Sequence, residues 1–193
     1  MVKNKLDAAG KPVYNLSGGN TNASGQIASA ASFANWYRDC NAATPTLTCV
    51  QSYTVPITAS VNSLTQVLTY SNSFYFPIDT LTPDKSVWDV SKNHNYHFTS
   101  ELEFLLAYDG AAADGNGAKN KFSFTGDDDV WVFINGQLML DLGGIHPAAT
   151  NGFDLDLLAA GLLGLDGLMG ITNGEIYSFK MFHAERHTQR IQR

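Results

Sequence analysis

An antiparallel β-sandwich carrying one short N-terminal helix is the fold that three features of the sequence predict. Short aromatic and β-branched runs recur between Gly, Asn, Asp and Pro from Tyr53 onward, the punctuation of strands joined by tight turns. One junction, Asn135-Gly136, separates Val130-Trp131-Val132-Phe133-Ile134 from Gln137-Leu138-Met139-Leu140, and it supplies both positive-φ positions of a two-residue type I′ hairpin turn. With 11 Phe, 8 Tyr and 3 Trp in 193 residues, there is ample material for one core, since a chain of this length buries roughly 70% of its unfolded surface.

The elements follow in order. Residues 1–28 are rich in Gly, Asn, Ser and Ala and read as an irregular leader, mobile or ordered only by a neighbour, because few apolar anchors offset its ordering entropy. Two glycosylation sequons in it, at Asn15 and Asn22, are of a kind that arises by chance in Asn/Ser-rich sequence. From 29 to 38, Phe33, Trp36 and Tyr37 fall at i, i+3 and i+4, with Ser29 or Ser32 as N-cap, which predicts a helix with an aromatic core face. Strands are expected at 53–55, 67–70, 74–76, 96–98, 101–105, 122–124, 130–134, 137–140 and 176–182. The run Asp154-Leu155-Asp156-Leu157-Leu158 begins with strand-like alternation, while the Ala159-Ala160-Gly161 that follows could equally form a short helical turn. No repeat of solenoid or propeller period is present.

Composition excludes several functions. The chain is 16% charged with a formal net charge of −6, so it lacks the cationic footprint of a nucleic-acid binder. Its longest nearly apolar stretch, Leu157 to Leu165, is far below the ~20 residues of a membrane-spanning helix. Leu6-Asp7-Ala8-Ala9-Gly10 follows the first five residues where a signal peptide would have an apolar core, so export would require a segment already removed or another route. Cys40 and Cys49 are the only cysteines. Their spacing fits no zinc or redox motif, leaving a local disulfide or two buried thiols.

The chemistry concentrates at Gly126-Asp127-Asp128-Asp129-Val130. Three consecutive carboxylates separate two apolar strands, where an ordinary turn needs one Asp or Asn and a Gly. Adjacent anions repel, and a hard cation reconciles them, since Ca²⁺ takes six to eight oxygen ligands. Between Phe122 and Phe179 there are eight acidic residues and no Lys or Arg. The alternative is a solvated acidic turn, because the loop lacks EF-hand spacing.

Three motifs in order, Gly126-Asp127-Asp128-Asp129-Val130-Trp131-Val132-Phe133-Ile134-Asn135-Gly136-Gln137-Leu138, Asp141-Leu142-Gly143-Gly144-Ile145-His146 and Phe182-His183-Ala184-Glu185-Arg186-His187-Thr188, closely resemble the fibro-slime domain. That family is a branch of the protective-antigen-type, lectin-like β-sandwich superfamily. The resemblance takes in Phe33 to Asp39, Phe76-Pro77-Ile78-Asp79 and His97-Phe98-Thr99, and so spans about 30–188. It implies a domain at 29–193 that is extracellular, non-enzymatic, and typical of adhesins, matrix proteins and cell-surface proteins. In the lectin branches two adjacent Asp residues joined by a cis peptide hold Ca²⁺, which chelates sugar hydroxyls. The matching positions are Asp127 and Asp128, with Asp129 where the superfamily often has Gly. Metal coordination would compensate the roughly 2.5–4 kcal/mol that such a cis bond costs. A second ion-binding loop after the last predicted strand points to His183, Glu185 and Arg186 as further metal or sugar contacts, with Asp129 beside them. Beyond Thr188 the family leads one to expect a polar turn and a final strand, which here would be truncated or supplied from elsewhere. The likeness to secreted modules favours the disulfide between Cys40 and Cys49.

Other candidates carry less. His183, Glu185 and His187 would share one face of a strand, yet their spacing is not that of a zincin helix. His146 follows Gly143-Gly144 and would either border a site or be satisfied within its loop. Trp131 and Phe133 read as core. A glycosidase needs two carboxyls about 5–9.5 Å apart across a cleft, whereas adjacent Asp residues in one turn suit a shared cation. The leading expectation is a calcium-dependent module binding a glycan or polysaccharide. The competing one is a fibre or sheath subunit in which Ca²⁺ braces the fold and strands are exchanged through an open sheet edge.

Overall fold

The computed structural model describes residues 1–15, 27, 29–39, 52–64, 67–81, 93–110, 120–144, 146–160 and 170–186, with only the backbone of Arg186. Cys40, Cys49 and His187 lie outside the described residues. The fold is all-β. Strands β1 (Ser60–Val61), β2 (Leu68–Thr69), β3 (His97–Ala107), β4 (Lys121–Gly126), β5 (Asp129–Ile134), β6 (Gln137–Leu142), β7 (Ala149–Asp154) and β8 (Ile176–Arg186) are joined by two short helices, α1 (Ala30–Phe33) and α2 (Leu155–Ala159). A four-stranded antiparallel sheet has the order β3-β8-β5-β6, β4 pairs with β7, and β1 pairs with β2.

Strand β5 is the centre of the molecule because both its faces are apolar, and all six of its residues are buried. Trp131 and Phe133 point to one side and pack with Phe33, Tyr37, Phe182 and Ala184. Val130, Val132 and Ile134 point to the other and pack with Leu140, Tyr177 and Phe179. Phe122, Phe124 and Phe153 of the β4–β7 pair cover this second side, forming the other layer of the sandwich. The β5–β6 hairpin turns as expected, with Asn135 at φ 46° and Gly136 at φ 76°. Val132 pairs with Leu140 and Phe133 with Leu138, so Met139 is an extra residue bulged out of β6.

The first side of the sheet is closed by the segment expected to be an independent leader, and its described part is integral to the domain. Val2 bridges to Tyr14, and Lys5 bridges to Gln137 at the end of β6. Leu6 N–H donates to Gly136 O at 3.0 Å and Leu138 N–H donates to Asn4 O at 2.9 Å. Met1, Val2 and Ile27 are buried against Trp131, Phe133 and Phe182. The boundary at 28 is therefore corrected. The few apolar residues of this segment suffice because β6 offers unpaired backbone groups and Trp131 and Phe133 need a cover.

Other expectations changed in detail. Helix α1 is capped by Ser29, whose Oγ accepts Ser32 N–H at 3.0 Å, but it ends at Phe33. Beyond Ala34 the bonds shorten to i→i−3, as in Trp36 N–H to Phe33 O, and the aromatic stripe is carried on by tight turns. Residues 53–55 and 74–76 are not strands. Asn72 Oδ1 accepts Phe74 N–H at 2.9 Å, and this Asx turn competes with extended pairing. The strand-like alternation at 154–158 gives way to a helix that starts earlier than the Ala159-Ala160-Gly161 expected to turn, at Leu155, because Asp154 Oδ1 caps Asp156 N–H at 2.9 Å. Strand β7, Ala-Thr-Asn-Gly-Phe-Asp, had no sequence signal. No helix of the described residues is long and apolar enough to cross a membrane.

Candidate functional site

The antiparallel register of β8 builds the site. Asp129 is opposite Ala184 and Val130 opposite His183, while on its other edge β8 sets Glu185 opposite Phe98. The loop entering β5 therefore lies beside the end of β8. Alternation puts His183 and Glu185 on one face, that of Val130 and Phe98.

The Asp128 carboxyl is nearly buried and is hydrogen-bonded to the Glu185 carboxyl. Two carboxyls can bond in this way only if one keeps a proton. Glu185 is accordingly pushed up to about 8, first by burial, then by the charge of Asp128 and the bond to it, then by Asp127. Asp127 is exposed at the rim. The His183 ring packs edge-on to Tyr75 with centroids 6.0 Å apart and lies 5.9 Å from Phe98. Burial lowers His183 to about 4, outweighing the opposing pull of Asp127, so the imidazole is neutral at ordinary pH. Its Nδ1 is buried without a hydrogen-bond partner. The Tyr37 hydroxyl fixes this part of β8 by donating to His183 O at 3.1 Å.

The remaining candidates are placed differently. Asp129 is fully buried and its Oδ1 accepts Gly144 N–H at 2.5 Å. It belongs to the Trp131 side of the sheet, away from His183, and its observed work is to tie the Gly143-Gly144 turn to β5. His146 has Nδ1 2.9 Å from Pro147 O and Nε2 3.3 Å from Leu142 O, so an N–H on either ring nitrogen finds an acceptor within its own loop. Arg186 ends β8 opposite His97, and its side chain lies outside the described residues. The peptide between Asp127 and Asp128 is trans, as there is no cis bond among the described residues, unlike the lectin arrangement.

Sequence reasoning missed Tyr75, Phe98 and Ser100 as the wall beside His183. The Tyr75 hydroxyl lies 3.2 Å from Ser100 Oγ, a contact across 25 residues that no local pattern signals. It also missed Asp141, whose Oδ1 accepts both Trp131 Nε1–H and Gly143 N–H at 2.9 Å.

Asp127, Asp128 and Glu185 offer the oxygen donors that a hard cation takes, and the proton between Asp128 and Glu185 occupies a position where positive charge is favoured. Among the described residues, no three His, Cys, Asp or Glu side chains are already gathered as a metal cage. A cation held here would need backbone carbonyls or water in addition to these carboxyls.

Fold and site together define an all-β module with a carboxyl cluster at one end of its main sheet. The chain is similar to proteins of Dictyostelium discoideum: it is 34% identical to psiI over 175 residues, covering 87% of this chain and 22% of psiI. It is 34% identical to psiR over 197 residues, 97% of this chain and 17% of psiR, and 30% identical to psiC over 200 residues, 97% and 33% respectively. The chain is thus related to the psi proteins over most of its length, while spanning only about a sixth to a third of theirs. No family model matches it. No solved structure matches it.

Proposed function

We propose that this domain is an extracellular, calcium-dependent carbohydrate-binding module of a surface adhesin or matrix protein. The observation that carries the reading is the hydrogen-bonded Asp128–Glu185 pair with Asp127 beside it, an excess of negative charge at one sheet end that a cation would neutralise. The resemblance to the fibro-slime domain supports it. Asp127, Asp128 and Glu185 would hold the ion, and the ion would supply open positions for vicinal sugar hydroxyls. Tyr75 and Phe98 shield His183 and set the shape of the adjoining wall. The experiment is calorimetry with millimolar Ca²⁺, typical of weak extracellular sites, followed by glycan binding with and without chelator. Binding of both ion and glycan supports the reading; no heat and no thermal stabilisation by Ca²⁺ overturns it.

A second reading, a fibre or sheath subunit in which Ca²⁺ only braces the fold, is favoured by β3. This 11-residue strand is at the edge of the main sheet, with Leu105 73% exposed, the kind of edge that accepts a strand from another chain. Loss of stability on chelation, self-association and no glycan binding would select it.

A further inference from the structure

Strands β1 and β2 pair only with each other, and every described residue from Ser60 to Phe74 is exposed. Large apolar side chains are among them: Val61 is 61% exposed, Leu68 66%, Phe74 75% and Leu64 87%. Val61 and Leu68 stand directly opposite each other, so they share one face of the pair. Asn62 N–H donates to Val67 O at 2.9 Å, which makes Asn62–Val67 a hydrogen-bonded pair. By the alternation of an antiparallel ladder, the N–H and C=O groups of Val61 and Leu68 then point outward, to the two open edges. An isolated two-stranded ribbon is marginally stable in water and needs further strands or a packed face. The described residues supply neither to β1 and β2.

Charge selects what covers this hairpin. From Cys40 to Ile78 there is no Asp, Glu, Lys, Arg or His, while the chain as a whole carries a formal net charge of −6. Two copies that meet through the acidic remainder repel, whereas hairpin against hairpin brings no like charges together. Proteins commonly keep open edges apart with Lys or Pro, and between Pro56 and Pro77 the sequence has neither. A lipid surface is the poorer match, because interfacial segments draw on Lys and Arg to reach anionic headgroups. We propose that the β1–β2 hairpin is a self-association surface whose partner is the same hairpin of a second copy, paired edge to edge about a twofold axis. The four-stranded ribbon so formed sets Val61 and Leu68 of both chains side by side on one face. This surface is separate from the β3 edge and from the carboxyl cluster, and it needs no Ca²⁺.

The test is sedimentation equilibrium of the full chain in chelator, from about 1 μM to about 1 mM, the span of moderate to weak affinities. The mass should rise with concentration from that of one chain to that of two. Added NaCl should favour the dimer, since it screens repulsion between the acidic remainders of the two copies. Val61→Lys with Leu68→Lys, which places cations at the shared edge, should weaken association by about tenfold or more. Val61→Thr with Leu68→Thr keeps strand preference while removing apolar surface, and should weaken it by about tenfold. Both pairs should keep the parent's thermal midpoint, because these side chains are exposed. Leu105→Lys, on the β3 edge, should associate as the parent does. A chain that is monomeric throughout, a dimer indifferent to both hairpin pairs, or a dimer lost in Leu105→Lys would overturn the proposal. A monomer that floats with phosphatidylcholine vesicles would overturn it in favour of a lipid surface.

Discussion

Asp128 and Glu185, one in the loop entering β5 and the other near the end of β8, are joined carboxyl to carboxyl. Without a cation this bond needs a retained proton, so the folded state binds that proton more tightly than the unfolded chain does. Glu185 titrates near 4.5 when unperturbed and about 8 in the fold. Its contribution to metal-free stability is therefore fully present below about 4.5 and is lost as pH rises through about 8. Thermal unfolding in chelator across that window should show a falling midpoint, and Glu185→Gln should flatten the fall.

Calcium should invert that behaviour. Once the ion replaces the proton, the deprotonated carboxyls are the favoured form, and added Ca²⁺ should stabilise most above about pH 8. At a hundredfold excess over Kd the gain should be about 2.7 kcal/mol, and Asp127→Asn with Asp128→Asn should abolish it. Differential scanning calorimetry with and without Ca²⁺ measures both.

Gly143 sits inside the Trp131–Asp141 contact. A Cβ there would lie 2.6 Å from Met1 Cβ and 2.9 Å from both Asp141 Oδ1 and Trp131 Nε1. Gly143→Ala must push one of these groups aside and break a hydrogen bond to a fully buried indole, a destabilisation of about 1–3 kcal/mol. Denaturant unfolding followed by Trp fluorescence should report it, and an unchanged midpoint would contradict it.

Tyr108 anchors the far end of the sheet by donating to Asp156 Oδ1 at 2.8 Å. Burial first, and then the bond to Asp156, pushes it up from 10.0 to about 12. The native state again holds its proton more tightly, so this contribution is complete below about pH 10 and declines as pH rises through about 12. Tyr108→Phe should cost about 1 kcal/mol at neutral pH and remove that part of the alkaline loss, as read by thermal melts across the range.

Local chemistry made much of this protein legible in its sequence. Asn135-Gly136 specifies its turn because both positions tolerate positive φ. The run 130–134 announces a strand buried on both faces, Ser29 marks a helix start, and three adjacent Asp residues mark the loop where charge accumulates. What only the tertiary structure decided depends on register between distant segments. Glu185 meets Asp128 because β8 lies antiparallel to β5 with Ala184 opposite Asp129, and no local periodicity encodes that partner. Residues 1–15 look unanchored by composition, yet they are held by the bare edge of β6 and the uncovered face of Trp131 and Phe133, neither of which exists until the sheet has formed. Strand β7 carries weak intrinsic preference and becomes extended because β4 offers it a ladder. Turns and caps are settled over a few residues and can be read there; burial, proton sharing and edge covering are settled by which surfaces meet.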